Sequence, residues 1–294
     1  MQEVDVCITF CEGAHDVAFL HRTLKSLFGF VEETNWAFKD YPAPLNVQFQ
    51  ATVAKHFSQD LSHTKLYDFL LPKKVLRRAD IVVLIFRTDG GDRAKLDRAR
   101  VYLERFFKLL RKAQTFPDNP TVRNPTACVS RAFVLFLYDA EGVGFKKVRE
   151  TLYSVFGALL ADSLGDGGWV VDAHNPALAR AERSAVYIWG DDEGFGTLED
   201  LLLPIHEESD PERFNAAKDC IDALCSWDIA KIPQRAKRGK SIMCLLGQKK
   251  KPGSAHSVMI DHTKTMREQA FASSPAVVSF SAFLQDFLGV EQAV

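Results

Sequence analysis

Four short apolar segments along the chain have the pattern of buried strands, and helical patterns alternate with them. These segments are residues 4–10, 81–86, 133–137 and 185–189. A continuous apolar run bounded by turn residues is typical of a strand that is buried on both faces. The alternation of such strands with helices predicts an α/β fold with a largely parallel sheet of four or more strands and helices on both faces.

Apolar residues recur at helical spacing after the strands and in the C-terminal third of the chain. The predicted helices cover residues 14–29, 95–112, 145–156, 196–203, 211–224 and 280–288. Residues 31–80 are too long for a simple connection and are predicted to be an insertion with short elements of its own. Because the composition shows no sharp shift, residues 1–294 are expected to form a single domain, with residues 206–294 as a helical C-terminal elaboration.

The composition is that of an ordinary soluble globular protein. Hydrophobic residues make up 47% and charged residues 26% of the 294 residues, and the formal net charge is −1. This balance gives no global electrostatic signal for nucleic acid, although a local basic patch is compatible with the sequence. The 22 phenylalanines predict an aromatic-rich core.

The sequence pattern also bears on the cellular compartment. No apolar run approaches the roughly 18 residues of a membrane span. The N-terminal segment MQEVDVCITF leads directly into a strand pattern, unlike a signal peptide. The six cysteines form no CxxC pair and are expected to be reduced thiols. Together these features predict a cytoplasmic protein without a membrane partner.

Two acids stand immediately after the third predicted strand. Asp139 and Glu141 are followed by Gly142 and Gly144. Ligands of parallel sheets bind beyond the carboxyl ends of the strands, and residues i and i+2 of an extended segment face the same side. Two carboxylates on one side repel each other unless a cation lies between them, and hard oxygen ligands suit Mg²⁺ or Mn²⁺. The alternative is a solvated turn with two surface acids.

Acids also follow the first and the fourth predicted strands. Glu12 lies at a strand-to-helix turn, where its carboxylate is expected to face the crevice at the sheet edge. Asp16 lies on the first turn of the next helix, where it is placed either to cap the helix or to join a site. Asp191 and Asp192 follow the fourth strand.

This arrangement resembles the TOPRIM fold, a Rossmann-like fold that topoisomerases, bacterial primases, recombination proteins and OLD-type nucleases share. Residues 10–20, FCEGAHDVAFL, resemble the element after the family's first strand, in the E-G-x-x-D/E form of the OLD-type branch. Residues 137–142, LYDAEG, resemble the family's DxD element, with Glu141 in place of the second Asp. Residues 196–201, GTLEDL, resemble the late acidic motif of a small uncharacterised, stand-alone TOPRIM-related branch.

The resemblance implies a divalent-metal-dependent nuclease or a related phosphoryl-transfer enzyme that acts on nucleic acid. Its ligands for Mg²⁺ or Mn²⁺ would be Glu12, Asp16, Asp139, Glu141 and Glu199. Glu12 would act as a ligand or as a general acid or base. Lys240 would stabilise developing phosphate charge, unless it is a solvated lysine of a basic helix. At least one carboxylate pKa is then expected to be raised by mutual repulsion.

Two departures from the family pattern matter. The longer side chain of Glu141 alters the metal geometry or marks an inactive member. OLD-type nucleases carry an ATPase domain, whereas here Gly239-Lys240-Ser241 ends like a P-loop but Gln234 stands in place of its first glycine. No ATP site is therefore expected in this chain, which leaves a separate ATPase chain as a candidate partner. The histidines show no metal-ligand spacing and are expected to be structural or exposed.

Three interpretations follow from the sequence. The first is the metal-dependent nuclease or phosphoryl-transfer enzyme. The second is a non-catalytic TOPRIM-like subunit that binds metal or nucleic acid and works with a separate ATPase. The third is an unrelated α/β protein whose strand-end acids are coincidental. Metal binding separates the first two from the third, and turnover of nucleic acid separates the first from the second.

Overall fold

The computed structural model describes residues 2–57, 70–115, 127–159, 170–172, 182–191, 193–248, 255–261 and 266–293. The strands are β1 (Gln2–Cys11), β2 (Val31–Glu32), β3 (Lys74–Arg78), β4 (Ile81–Arg87), β5 (Ala127–Asp139), β6 (Val170–Asp172) and β7 (Arg183–Trp189). The helices are α1 (Ala14–Phe28), α2 (Leu45–Phe57), α3 (Arg93–Thr115), α4 (Gly144–Phe156), α5 (Leu198–Ser209), α6 (Pro211–Leu224), α7 (Ile232–Gln248), α8 (His256–Asp261), α9 (Glu268–Ser273) and α10 (Pro275–Leu288).

Seven strands of the described residues form one sheet, in the order β2-β3-β4-β1-β5-β7-β6. Strands β1 and β4 run parallel, from Asp5 opposite Ile81 to Cys11 opposite Arg87. The outer pairings β2–β3, β3–β4 and β6–β7 are antiparallel. The sheet therefore has antiparallel pairs at both edges. The directions of its central strands β5 and β7 follow from hydrogen bonds with their neighbours.

Hydrogen bonds between β1 and β5 show that these neighbours run in the same direction. Near the start of both strands, the hydroxyl of Ser130 donates to the carbonyl oxygen of Val4. At their far ends, the N–H of Glu12 donates to the carbonyl oxygen of Leu137 at 3.0 Å. Because the residue numbers of both partners increase together, β5 is parallel to β1.

The same argument gives the direction of β7. The N–H of Glu182 donates to Ala132 at one end of the pair, and the N–H of Ala140 donates to Trp189 at the other. Strand β7 is therefore parallel to β5, and β4, β1, β5 and β7 form a parallel centre. The four predicted strands lie within these four, which confirms the α/β fold and its mostly parallel sheet. The placement of helices on both faces stays a prediction.

The chain divides into two compact units that alternate along the sequence. The first contains Met1–Cys11, Phe30–Phe136 and Thr151–Val186, and the second contains Glu12–Gly29, Leu137–Glu150 and Tyr187–Val294. Within the first, residues 31–57 and 70–80 contribute β2, α2, β3 and a 3₁₀ turn to the region predicted as an insertion. The expectation of a single domain over residues 1–294 stays a prediction.

The core of the first unit is built around Phe10, which is fully buried. Its ring centroid lies 5.5 Å from that of Phe86, 5.7 Å from that of Phe136 and 6.3 Å from that of Phe156. Offset and tilted aromatic pairs of this kind add to the stabilisation that burial provides. They fill the interior beside β1, β4 and β5, as the frequent phenylalanines predicted.

The core of the second unit surrounds Trp189, the last residue of β7, which is also fully buried. Its ring lies 5.1 Å from the ring of Phe19 on α1 and 4.9 Å from that of Phe280 on α10. Phe271 of α9 lies 5.6 Å from Phe19. These contacts fix the position of the Trp189 indole, whose N–H group is used in the acidic cluster described below.

From residue 198 onwards the described residues form the helices α5 to α10 and no strand. Helices α6, α7 and α8 share an apolar cluster that includes Phe214, Ile242, Leu246 and Met259. In the part of the chain that the structure describes, no helix combines the length and the apolar character that crossing a bilayer would require.

Candidate functional site

All sequence-predicted site residues belong to the second unit. They are Glu12, Asp16, Asp139, Glu141, Glu199 and Lys240. Glu12 follows β1 directly, and Asp139 ends β5. The backbone N–H of Asp139 donates to Oε2 of Glu12 at 3.1 Å. The parallel strands thus bring acids from two distant parts of the sequence into contact, as their positions at the carboxyl ends predicted.

Asp16 is buried beside the same turn, at 3% exposure. Its Oδ2 accepts the N–H of Gly13, at the start of α1, at 2.7 Å. Its Oδ1 accepts the indole N–H of Trp189 at 2.8 Å. Burial, followed by the charges of Glu12 and Glu199, raises the pKa of Asp16 to about 7, against the lowering effect of the two donors. The helix-capping role left open from the sequence is therefore present.

Asp139 connects the end of β5 to the start of α5. Its Oδ1 accepts the N–H of Leu198, the first residue of that helix, at 2.8 Å. Burial raises the pKa of Asp139 to about 9, and the negative charges of Asp16, Glu199 and Glu12 add to this shift. The pKa of this carboxylate is therefore raised, as expected from the sequence, but burial is the larger cause and repulsion between carboxylates the smaller.

Glu199 contributes a carboxylate from the first turn of α5. The residue is 2% exposed, and its Oε1 lies 2.6 Å from Nδ1 of His15 and 3.5 Å from Nζ of Lys240. Its Oε2 is buried and accepts no hydrogen bond. Burial raises the pKa of Glu199, but the hydrogen bond from His15, the charges of Lys240 and His15 and a hydrogen bond with the Thr197 side chain outweigh it and hold the pKa below its ordinary value.

Lys240 reaches Glu199 because α7 packs closely on α5. A Cβ atom added at Gly239 would lie 3.2 Å from Cδ1 of Leu203 and 3.6 Å from Cβ of Glu199. The glycine thus allows the two helices to approach each other at this point. The side chain of Lys240 is 43% exposed, so its ammonium group borders both the acidic cluster and the solvent.

Glu141 does not follow the geometry expected from the sequence. The expectation that it faces the same side as Asp139 assumed an extended segment, but Glu141 has a φ of 46°, in the left-handed region. Its backbone forms a short bridge with Gly196, and its side chain is exposed. The negative charges that raise the pKa of Asp139 include those of Asp16, Glu199 and Glu12. The assumption of an extended Asp139–Glu141 segment is therefore wrong, and a ligand role for Glu141 stays a prediction.

The acid at the end of the fourth predicted strand orders its own loop. Oδ1 of Asp191 accepts the N–H groups of Glu193 and Phe195 at 3.1 and 3.0 Å. Arg235 of α7 contacts both Asp191 and Asp200. These contacts hold the segment that leads into α5, and with it Glu199. Asp192 lies outside the described residues.

The acidic cluster formed by Glu12, Asp16, Asp139 and Glu199 has the chemistry of a hard-cation site. Its donors are carboxylate oxygens, which Mg²⁺ and Mn²⁺ prefer. The buried oxygen Oε2 of Glu199, without a hydrogen bond, is the kind of group that a cation would satisfy. Within the described ranges, however, no three His, Cys, Asp or Glu side chains already stand in a coordinating arrangement. The residue types fit a divalent cation, and side-chain rotation would be needed to complete its shell.

Two side chains that contact this cluster, those of His15 and Trp189, were not predicted from the sequence to belong to it. His15 was expected to be structural or exposed, yet it forms the short contact with Glu199, which is 184 residues away in the chain. Trp189 was predicted only as part of a buried strand, yet its N–H reaches Asp16. The one available signal was the position of His15 between Glu12 and Asp16 on the strand-to-helix turn.

No protein-family model matches the chain, and no curated protein matches it. Among solved structures, the chain is similar to the hypothetical protein PH0156 from Pyrococcus horikoshii OT3, with a TM-score of 0.49 and 14% sequence identity. The similarity covers 97% of this chain and 96% of that one.

Proposed function

We propose that this chain is a divalent-metal-dependent nuclease or a related phosphoryl-transfer enzyme that acts on nucleic acid. The observation that carries the proposal is the buried oxygen of Glu199, which lacks a hydrogen bond in the acidic cluster. An ionised carboxylate oxygen in this position is costly unless a positive group satisfies it. A bound divalent cation would supply that group.

The electrostatics of the cluster support the same proposal. Asp139 has a pKa raised to about 9, so at neutral pH without metal it holds a proton that a cation would displace. Asp16, with a pKa raised to about 7, holds a proton in about half of the molecules at neutral pH. Such strongly shifted carboxylates in one place are more frequent at functional sites than in purely structural clusters.

The residues fall into distinct roles under this proposal. Glu12, Asp139 and Glu199 would hold the cation, with Asp16 behind them and Glu141 at the rim. When bound, the cation would neutralise charge that builds on a phosphoryl group. Glu12 would bind the cation or move a proton at its carboxylate. Lys240, with its ammonium group between cluster and solvent, would orient a phosphate and stabilise its developing charge.

The proposal includes a TOPRIM-type, Rossmann-like assignment for the fold. The parallel order of β4, β1, β5 and β7 supports it, as does the location of Glu12 and Asp139 after β1 and β5. The contact between the backbone of Asp139 and the carboxylate of Glu12 also agrees with the Glu-Gly and DxD elements that the sequence resembles.

A turnover assay tests the function directly. The purified chain would be incubated with supercoiled plasmid, linear duplex DNA, single-stranded DNA and RNA, with Mg²⁺, with Mn²⁺ and with EDTA. We expect cleavage of at least one substrate that depends on the metal and disappears in Asp139→Asn. Asp219→Asn, the same chemical change at an exposed acid of α6, is the matched control and should cleave like the wild type.

A second candidate function has one observation in its favour. The side chain of Glu141, which stands in place of the second Asp of the DxD element, is exposed. This favours a non-catalytic TOPRIM-like subunit that binds metal or nucleic acid and works with a separate ATPase chain. Metal binding without cleavage of any of the four substrates would select this candidate. Absence of both metal binding and cleavage would contradict the two candidate functions alike.

A further inference from the structure

The two oxygens of the Glu199 carboxylate have different surroundings. Oε1 lies 2.6 Å from Nδ1 of His15 and 3.5 Å from Nζ of Lys240, whereas Oε2 is buried without a hydrogen bond. His15 and Lys240 therefore both contact Oε1, and a hydrogen bond with the side chain of Thr197 also acts on the carboxylate. A carboxylate that is held firmly at one oxygen has its second oxygen kept in a fixed direction, available to a further ligand.

The backbone below Glu199 is also fixed. Asp200 accepts the N–H of Thr197 at 3.0 Å, which caps the start of α5. The N–H of Leu198 is bound to Asp139, so the first turn of α5 is joined to the end of β5. Glu199 thus has little freedom at its backbone. The direction of its carboxylate then depends on the side chains that touch it.

His15 is the closest of these side chains and is well placed to set that direction. It lies on the first turn of α1, between Glu12 and Asp16, and its side chain is 24% exposed. Its contact with Glu199 is shorter than that of Lys240, and it joins α1 to α5 across 184 residues of sequence. Since Glu199 has only oxygen acceptors when ionised, Nδ1 of His15 is the donor.

We propose that His15 is a positioning residue for the cation site: it holds Glu199 by Oε1 and so presents Oε2 to the divalent cation. This inference rests on the proposed function, because it assigns a role within the same cluster. Outer partners that orient a metal-binding carboxylate typically change metal affinity by about 10- to 100-fold when they are removed.

Replacement of His15 by Asn or by Gln separates this role from others. The amide of His15→Asn can place an N–H donor near the position of Nδ1, whereas that of His15→Gln lies nearer the position of Nε2. His15→Ala removes the donor altogether. A clamp through Nδ1 requires that Asn retains function and that Gln and Ala lose it. A direct metal ligand at Nε2 would not be restored by Asn.

His21 provides a matched control on the same helix. Its Nδ1 also contacts a carboxylate, that of Asp261, at 2.9 Å. It lies six residues further along α1 than His15, about 9 Å along the helix axis. His21→Ala therefore removes an equivalent His–carboxylate pair without touching the proposed clamp.

The experiment is a calorimetric titration of Mn²⁺ into the wild type, His15→Asn, His15→Gln, His15→Ala and His21→Ala, with melting curves in EDTA for each. We expect the Kd for Mn²⁺ to rise by about 10-fold or more in the Gln and Ala variants. It should stay within about threefold of the wild type in His15→Asn and His21→Ala. If His15→Ala does not fold, the Asn and Gln variants carry the comparison.

The outcomes distinguish this inference from the proposed function. Wild-type binding with an unchanged Kd in the Gln and Ala variants would overturn the inference and leave the proposed function intact. Equal loss in the Asn, Gln and Ala variants would also overturn it, since His15 would then act through more than a donor at Nδ1. Absence of Mn²⁺ binding in the wild type would overturn both.

Discussion

Replacement of Asp139 by Asn and by Ala should separate the two contributions that this side chain makes to the metal-free protein. Its Oδ1 accepts the N–H of Leu198 at the start of α5, and its pKa is raised to about 9. Asn retains an acceptor and cannot ionise. Ala loses both the acceptor and the charge. Any difference in stability between the two variants therefore reports the hydrogen bond to α5.

The magnitudes follow from these contacts. Loss of an acceptor at a helix N-terminus costs about 1 kcal/mol, so the Tm of Asp139→Ala should lie about 3 °C below that of Asp139→Asn. The pKa of Asp139 rises on folding from 3.8 to about 9. A group whose pKa is raised on folding contributes stability that is fully present below its pKa in the unfolded state. This contribution is lost as the pH rises through its pKa in the folded state. The wild type should therefore lose stability relative to Asp139→Asn between pH 4 and 9, by at most about 1.4 kcal/mol per pH unit.

The assay is thermal unfolding in EDTA at about pH 5, 6.5 and 8, for the wild type, both variants and the Asp219→Asn control. The advantage of Asp139→Asn over the wild type should grow with pH, whereas the control should follow the wild type. A Tm difference between Asp139→Asn and the wild type that does not change with pH would refute the burial argument. Equal Tm values for Asn and Ala would show that the bond to Leu198 contributes nothing.

Three further changes test the roles assigned to single side chains. Glu12→Gln should leave the Kd for Mn²⁺ within about threefold and lower turnover by about 10² or more if Glu12 moves a proton; parallel loss of binding and turnover would make it chiefly a ligand. Lys240→Met should reduce turnover by about 10², whereas Lys237→Met, an exposed lysine of the same helix, should not; equal rates would remove Lys240 from the mechanism. Trp189→Phe removes a hydrogen-bond donor from Asp16 and should lower the metal-free stability by about 1–3 kcal/mol. The loss should be larger at pH 8 than at pH 5, because Asp16, with its pKa of about 7, ionises between these values; a loss of stability that is independent of pH would be a packing effect only.

The strands at the centre of the sheet could be predicted from the sequence because they are buried on both faces and therefore consist of continuous apolar runs. The strand β3, which lies between the short edge strand β2 and β4, could not be predicted. Its sequence is KVLRR, in which only Val75 and Leu76 are buried, and its pairing with β4 defines it as a strand. A short strand with two buried residues among charged ones has no pattern that distinguishes it from a helix or a loop.

The candidate site, too, could be predicted only where it depends on the ends of the central strands. The contact between Glu12 and Asp139 follows from parallel strands that end at one edge, which local patterns indicate. The left-handed conformation of Glu141 was not predictable, because a non-glycine residue adopts it only where its surroundings, here the bridge to Gly196, hold it there. The pair His15–Glu199 depends on how α1 and α5 approach each other, and a single sequence carries no signal for that contact.

The anomalous difference density of a crystal soaked in millimolar Mn²⁺ would show whether the acidic cluster binds a divalent cation. We expect a peak within about 2.5 Å of carboxylate oxygens from at least two of Glu12, Asp139 and Glu199, one of them Oε2 of Glu199. We also expect the peak to disappear in crystals of Asp139→Asn. A well-ordered acidic cluster with no peak, or a peak only at acids elsewhere on the surface, would contradict a metal-dependent function for this cluster.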